Sequence, residues 1–155
     1  MRVHLGSDHA GFDLKAALLA RLAELGHEAV DHGPVAVDPV DDYPPFVLRA
    51  AEAVATEPGS LGIVLGGSGN GEAIAANKVA GVRCALAWSD ETARLGRQHN
   101  DANVVSVGAR MHDEPTAVAL VEAFLTEPYS GEGRHTRRIE MLSAYEQTKV
   151  LPPLP

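Results

Sequence analysis

The sequence predicts an α/β protein: a three-layer α/β/α sandwich on a Rossmann-like five-stranded parallel sheet, with an extra C-terminal helix. Three observations carry this. Five short apolar runs alternate with stretches of helical period, as in βαβ units. Apolar runs such as Leu61 to Leu65 are continuous, as in strands covered on both faces. The informative polar residues follow strands one, three and five, where parallel sheets place their ligands.

Val3 to Leu5 begins the sheet and ends at Gly6-Ser7-Asp8-His9-Ala10-Gly11. A helix then runs to about Leu25, because Leu14, Leu18, Leu22 and Leu25 recur on one face, and Gly26 caps it. Glu28 to Asp31 is a short second strand, and the segment from His32 to Tyr43, with its prolines and acids, is a loop. Pro44 stands at the start of a second helix, where a missing N–H is tolerated, and Pro58-Gly59 stops it. Leu61 to Leu65 is the third strand, and Arg83 to Ala87 the fourth. Ser89 is an N-cap with Thr92 in the capping-box position, opening a helix to about Gln98. Val104 to Val107 is the fifth strand, stopped by Gly108. Helices follow over about 115–126 and 134–148, parted by the breakers from Pro128 to Gly133. The proline-rich tail from Leu151 to Pro155 is extended or packed on a neighbour. Residues 1–155 read as one domain.

The stretch Leu65-Gly66-Gly67-Ser68-Gly69-Asn70-Gly71-Glu72 joins the third strand to a helix. Four glycines in six positions let the backbone turn sharply and approach a ligand closely. Amides at such a turn, beside a helix N-terminus, cradle a phosphate or a reaction oxyanion. Glu72 replaces the lysine that a Walker A loop requires, and it also breaks the dinucleotide fingerprint. Taken alone, the loop reads equally as a tight structural turn with a dipole-stabilised glutamate.

Other clusters carry similar alternatives. Arg134 and Arg138, four apart, share a face of the last helix, with His135 and Arg137 among them. They suit a phosphate, or form a solvated basic face. Asp8-His9 reads as an acid–base pair, a metal pair or a turn; His99 reads as a helix-end cation or a general acid. His99 and Asn100 end a helix, so they face the opposite edge of their own sheet and could serve a neighbour's site. No His-x-x-x-His or Cys-x-x-Cys spacing occurs, which argues against a dedicated metal site.

The net charge of −8 argues against broad nucleic-acid binding. The one cysteine, Cys84, excludes an intrachain disulfide, suits a reducing cytoplasm and reads as a buried, inert thiol. The first residues enter a strand directly, without a signal-peptide apolar region, and no apolar run approaches the ~20 residues that span a membrane. The expectation is a cytoplasmic protein with no membrane or nucleic-acid partner.

These pieces coincide in one family. The chain resembles the type B ribose-5-phosphate isomerases of the ribose/galactose isomerase family. The resemblance rests on Gly6 to Gly11, Asp42-Tyr43-Pro44, Gly67 to Gly71 with Ala75-Ala76-Asn77-Lys78, Arg97-Gln98-His99-Asn100, and Arg134-His135 with Arg138. One branch of that family uses a cysteine base just before the glycine loop. Here Gly66 stands at that position, and the chain is similar to the branch in which a glutamate at the position of Glu72 acts instead. The resemblance implies cofactor-free interconversion of D-ribose 5-phosphate and D-ribulose 5-phosphate through a cis-enediolate, in the pentose phosphate pathway. It implies Glu72 as the base, kept ionised by the helix dipole, and His99 as the acid that opens the furanose ring. The amides of Gly67, Ser68, Gly69, Asn70 and Gly71, with the Ser68 hydroxyl, would stabilise the enediolate. Asp8 and Asn100 would hold hydroxyls or shuttle a proton, and His9, Arg110, Arg134 and Arg138 would clamp the phosphate. It further implies a homodimer, possibly a tetramer, with shared sites in which His99, Asn100 and Arg110 serve the partner's loop, and 134–155 packing on that partner.

Two other readings compete. One is an isomerase of another phosphorylated sugar, a tetrulose or hexose phosphate. The other is a phosphosugar-binding or flavodoxin-like module without catalysis, for which Glu72 and His99 would have no use.

Overall fold

The computed structural model describes residues 1–154. It contains β1 (Arg2–Ser7), α1 (Phe12–Glu24), β2 (Glu28–Asp31), α2 (Pro44–Thr56), β3 (Leu61–Gly66), α3 (Asn70–Ala76), β4 (Cys84–Leu86), α4 (Asp90–Asn100), β5 (Val104–Gly108), α5 (Glu114–Thr126) and α6 (Gly133–Thr148). A 3₁₀ turn at His9–Gly11 links β1 to α1. The five strands are all parallel, in the order β2-β1-β3-β5-β4. The chain leaves β1 outward to β2, then crosses back to β3 on the other side of β1. That reversal is a topological switch point, and the ends of β1 and β3 open into a cleft there.

Helices α1, α4 and α5 cover one face of the sheet, and α2 and α3 cover the other. Alternate strand residues supply the two cores. Val3, Leu5, Ile63, Leu65, Val105 and Val107 pack against Leu14, Leu18, Leu22, Val121 and Phe124. Val64 and Val104 pack against Val47, Ala50, Ala51, Val54 and Ala76. Both faces of β3 are buried, which explains its continuous apolar run.

The element boundaries obey local chemistry. Ser89 and Thr92 form the reciprocal capping box at the start of α4. Pro44 sits in the first turn of α2. α4 runs two residues beyond the expected Gln98, to Asn100, and Asp101 ends it in the left-handed conformation. Leu25, expected on the buried face of α1, is instead its exposed C-cap, because the helix stops at Glu24. β4 is shorter than expected. Arg83 lies outside it and turns to the Asn100 and Asp101 carbonyls.

Lys15 is fully buried, with Nζ donating to Asp31 Oδ1 at 2.7 Å and to the Pro34 carbonyl at 2.6 Å. A buried ammonium requires such partners, so the start of the 32–43 loop is tied to α1. α6 lies outside the sandwich and packs on α4. It leaves Met141, Leu142 and Tyr145 exposed, and the following Val150, Leu151 and Leu154 are exposed too. Pro155, the end of the expected tail, lies outside the described residues.

Candidate active site

The cleft at the switch point is built from strand ends. Parallel register sets Ser7 beside Leu65 and Gly66 beside Gly108, so the loops after β1, β3 and β5 converge. The Asp8 N–H bonds to the Leu65 carbonyl at 3.3 Å, and the Arg110 N–H to the Gly67 carbonyl at 3.0 Å. Gly69 takes φ +80°, a conformation that favours glycine, and caps α3. Its carbonyl is pinned by the buried Ser106 hydroxyl at 2.7 Å and the Ala73 N–H at 2.9 Å. The Ser68 hydroxyl accepts from the Asn70 backbone and side chain at 3.3 and 3.2 Å. Among the described residues, the Gly67 and Ser68 N–H groups have no hydrogen-bond partner. The loop is thus a fixed turn with donors to spare.

Glu72 is buried, 4% exposed, in the first turn of α3. Its carboxyl folds back over Gly66: a Cβ there would overlap Oε1 and Cδ outright and stand 2.7 Å from Oε2. Burial pushes the Glu72 carboxyl above the ordinary glutamate range, and the charge of Asp8 pushes the same way. Hydrogen bonds to the Glu72 and Gly69 backbone offset this only in part. The helix start, expected to keep Glu72 ionised, is therefore opposed by burial. Desolvation outweighs the backbone donors and moves the group toward neutrality.

Asp8 is nearly buried and accepts the Ala10 and Gly11 N–H groups at 2.9 and 3.2 Å. His9 is held by Asp41, through its backbone N–H at 2.9 Å and its Nδ1 at 2.7 Å. The Tyr43 ring lies on Gly71. Arg110 lies over Gly67 of its own chain. That corrects its expected assignment to a partner's loop: Arg110 follows β5, which pairs directly with β3. Asp41 and Ser106 were not singled out by the sequence. Asp41 sits in a loop of several acids, and Ser106 lies inside a strand, so neither carries a local motif. Cys84, expected to be buried, is half-buried beneath α3, and its thiol is pushed up to about 12, first by desolvation and then by Glu72. It is an unreactive thiol.

The remaining candidates form a second group. α4 runs back from the end of β4, so its last turn lies at the opposite edge of the sheet. There His99 stacks on His135, with ring centroids 4.1 Å apart. Arg134 Nε meets His135 Nε2 at 3.2 Å and Glu132 at 2.8 Å. His135 is buried, which pushes it below the ordinary histidine range, and His99, Arg134 and Arg138 add to this. Asn100 lines a cavity of about 450 Å³ between β4 and α6, with Asn77, Cys84, Leu142 and Tyr145. The fold therefore gathers Asp8, His9, the glycine loop, Glu72 and Arg110 in one place. It gathers His99, Arg134 and Arg138 in another, with Asn100 at the same edge. Among the described residues, no three His, Cys, Asp or Glu side chains gather as a metal site. No described helix is long and apolar enough to cross a membrane.

Comparison with known proteins places this geometry. The family model described as Ribose/Galactose Isomerase matches residues 3–142. Ribose-5-phosphate isomerase B of Mycolicibacterium paratuberculosis is 56% identical over 155 residues, covering 100% of this chain and 98% of the relative. The solved ribose-5-phosphate isomerase B of Clostridium thermocellum superposes with a TM-score of 0.91 at 37% identity, covering 97% of this chain and 100% of its own. That of Mycoplasma genitalium, solved with bound ribulose-5-phosphate, superposes with a TM-score of 0.91 at 38% identity, covering 95% and 97%. Sheet, cleft and sequence agree: the chain belongs to the ribose/galactose isomerase family.

Proposed function

We propose that this chain, residues 1–155 as one domain, is an aldose–ketose isomerase that interconverts D-ribose 5-phosphate and D-ribulose 5-phosphate through a cis-enediolate. The observation that carries the mechanism is the Glu72 carboxyl over Gly66, buried beside unpartnered loop amides. The carboxyl fills the space of a side chain at position 66. This supports a glutamate base where another branch of the family places a cysteine. Glu72 takes the C2 proton of the open-chain aldose and returns a proton to C1, while the O2 hydroxyl proton passes to O1 as the carbonyl moves from C1 to C2. A carboxyl raised by burial is better matched to that task than an exposed one, because proton transfer runs best near the working pH. The electrons that move onto the carbonyl oxygen meet the Gly67 and Ser68 N–H groups. Asp8 holds a hydroxyl beside them, and His9 and Arg110 take the phosphate.

The second group completes the site from a neighbouring copy. His99 lies at the far edge of its own sheet, so it opens the furanose ring in a partner's cleft. Asn100, Arg134 and Arg138 accompany it, the two arginines toward phosphate. The exposed Met141, Leu142 and Tyr145 on α6 support packing of 134–155 on that partner in a homodimer. The reaction needs no cofactor or metal, and the single free cysteine, Cys84, suits a cytoplasmic setting.

The test is a turnover assay on four-, five- and six-carbon sugar phosphates after EDTA treatment. Ribose 5-phosphate should give the highest kcat/KM. A higher value for a tetrose or hexose phosphate would move the substrate assignment. No turnover on any of them would leave a phosphosugar-binding module.

A further inference from the structure

We infer that Asp41 is a positioning residue for the phosphate end of the substrate, acting by aiming the His9 imidazole. This rests on the reading of His9 as a phosphate contact. One oxygen, Asp41 Oδ1, accepts both the backbone N–H of His9 at 2.9 Å and its Nδ1 at 2.7 Å. The first bond fixes where the residue sits, and the second fixes how its ring is turned.

The turn around His9 makes this role specific. A glycine-containing turn at the end of a parallel strand is an ordinary place for an anion to meet backbone amides. Here the amides are taken. Asp41 accepts from His9, and Asp8 accepts from Ala10 and Gly11. Three successive N–H groups thus face carboxylates, so this turn can offer a phosphate only the His9 side chain. A carboxylate accepts and never donates, so Nδ1 carries the hydrogen. Nε2 is left without a partner among the described residues, and it donates to a phosphate oxygen when the ring is protonated. The negative Asp41 then balances the imidazolium.

Asp41 is well placed to act as a fixed support. Its side chain is 9% exposed, although Val35 and Val40 of the same loop are 92% and 83% exposed. The loop is tied at its start by Lys15 to Asp31 and Pro34, by the Gly33 N–H to Asp31 at 2.8 Å, and by the Ser7 N–H to the Gly33 carbonyl at 3.2 Å. The second oxygen of Asp41, Oδ2, is buried with no hydrogen-bond partner among the described residues. Buried polar atoms are usually hydrogen-bonded, and one left over beside the cleft marks a candidate for function.

The experiment uses the full chain in four variants: Asp41→Ala, Asp41→Asn, His9→Ala and the double His9→Ala/Asp41→Ala. Three readouts apply: kcat and KM for ribose 5-phosphate, the inhibition constant of inorganic phosphate, and the ¹⁵N spectrum of the His9 ring. Asp41→Ala should raise KM and the phosphate inhibition constant about tenfold, the loss of one charge-assisted bond, with kcat little changed. The His9 ring should lose its Nδ1–H signature. Asp41→Asn keeps an acceptor oxygen in place and should restore that signature and much of the KM. The double variant should be no worse than His9→Ala, because Asp41 acts only through His9. Additive losses in the double variant would overturn the proposal, as would an unchanged His9 spectrum in Asp41→Ala. If His9→Ala leaves both KM and phosphate inhibition unchanged, the phosphate role of His9 fails and the proposal falls with it. If His9→Ala raises KM and Asp41→Ala does not, only the positioning role is overturned.

Discussion

Gly66→Ala tests the geometry of the base with a single methyl group. Gly66 ends β3 with an extended backbone that any residue adopts, so alanine brings no backbone strain. Its Cβ would clash with Glu72 Oε1 and Cδ and stand 2.7 Å from Oε2. Ordinary contact distances begin at 3.4 Å, so the carboxyl must give way. A displacement on the order of 1 Å in a reacting group costs roughly 10²-fold in rate. That corresponds to about 2.7 kcal/mol of transition-state stabilisation. The displaced carboxyl is the base and not a phosphate contact, so the loss should fall on kcat and leave KM nearly unchanged. Steady-state formation of ribulose 5-phosphate measures both constants, and thermal unfolding by circular dichroism reports the fold. Should Gly66→Ala unfold more readily, Gly66→Ala/Glu72→Ala separates the causes. With the opposing carboxyl gone, it should unfold like Glu72→Ala alone. A folded Gly66→Ala enzyme with wild-type kcat would refute the placement of the base.

Further expectations follow from the same geometry. Only the carboxylate form of Glu72 accepts a proton, so kcat/KM should fall as pH falls through its titration. Burial raises that carboxyl, so the acid limb should lie above the ordinary glutamate value of 4.5; a limb at or below it would contradict the burial argument. Cys84→Ser should leave kcat within about threefold of wild type, because a thiol pushed up to about 12 is no nucleophile at neutral pH; collapse of turnover with an intact fold would implicate it. Subunits carrying Glu72→Gln and His99→Asn, once mixed and shown to exchange, should regain up to half the activity per heterodimer. One site then carries both lesions and the other carries none. Mixtures as inactive as their parents would place both residues in one subunit's site.

Much of the fold was legible because its signals are local. The leucines of α1, Pro44 in α2 and the Ser89 cap each report on a few neighbouring residues. The glycine loop and Glu72 were legible for the same reason. Strand order was not, since nothing local tells β4 to lie outside β5. The same limit hid Asp41, whose meaning is a contact with His9 across 32 positions of sequence, and Ser106, which reaches Gly69 across 37. Arg110 was assigned to the wrong cleft because its side chain follows the β3–β5 pairing, a long-range fact. The ionisation of Glu72 depends on a balance. Position at a helix start favours the charge, but burial opposes it more strongly, and burial depends on the whole fold.

The central claim is that Glu72 moves the proton, and the most direct measurement is the turnover of Glu72→Gln on ribose 5-phosphate. Glutamine matches the carboxylate in shape but cannot accept the proton. Because the native carboxyl is raised, the folded state binds more protons than the unfolded state. Stability therefore falls as pH rises through the window between the ordinary and raised values. Glutamine removes that penalty, so the variant should unfold at or above the wild-type temperature at pH 7. Its kcat should drop by roughly 10²- to 10⁴-fold with KM little changed, the range for loss of a general base. A folded Glu72→Gln enzyme turning over at near wild-type rate would contradict the account.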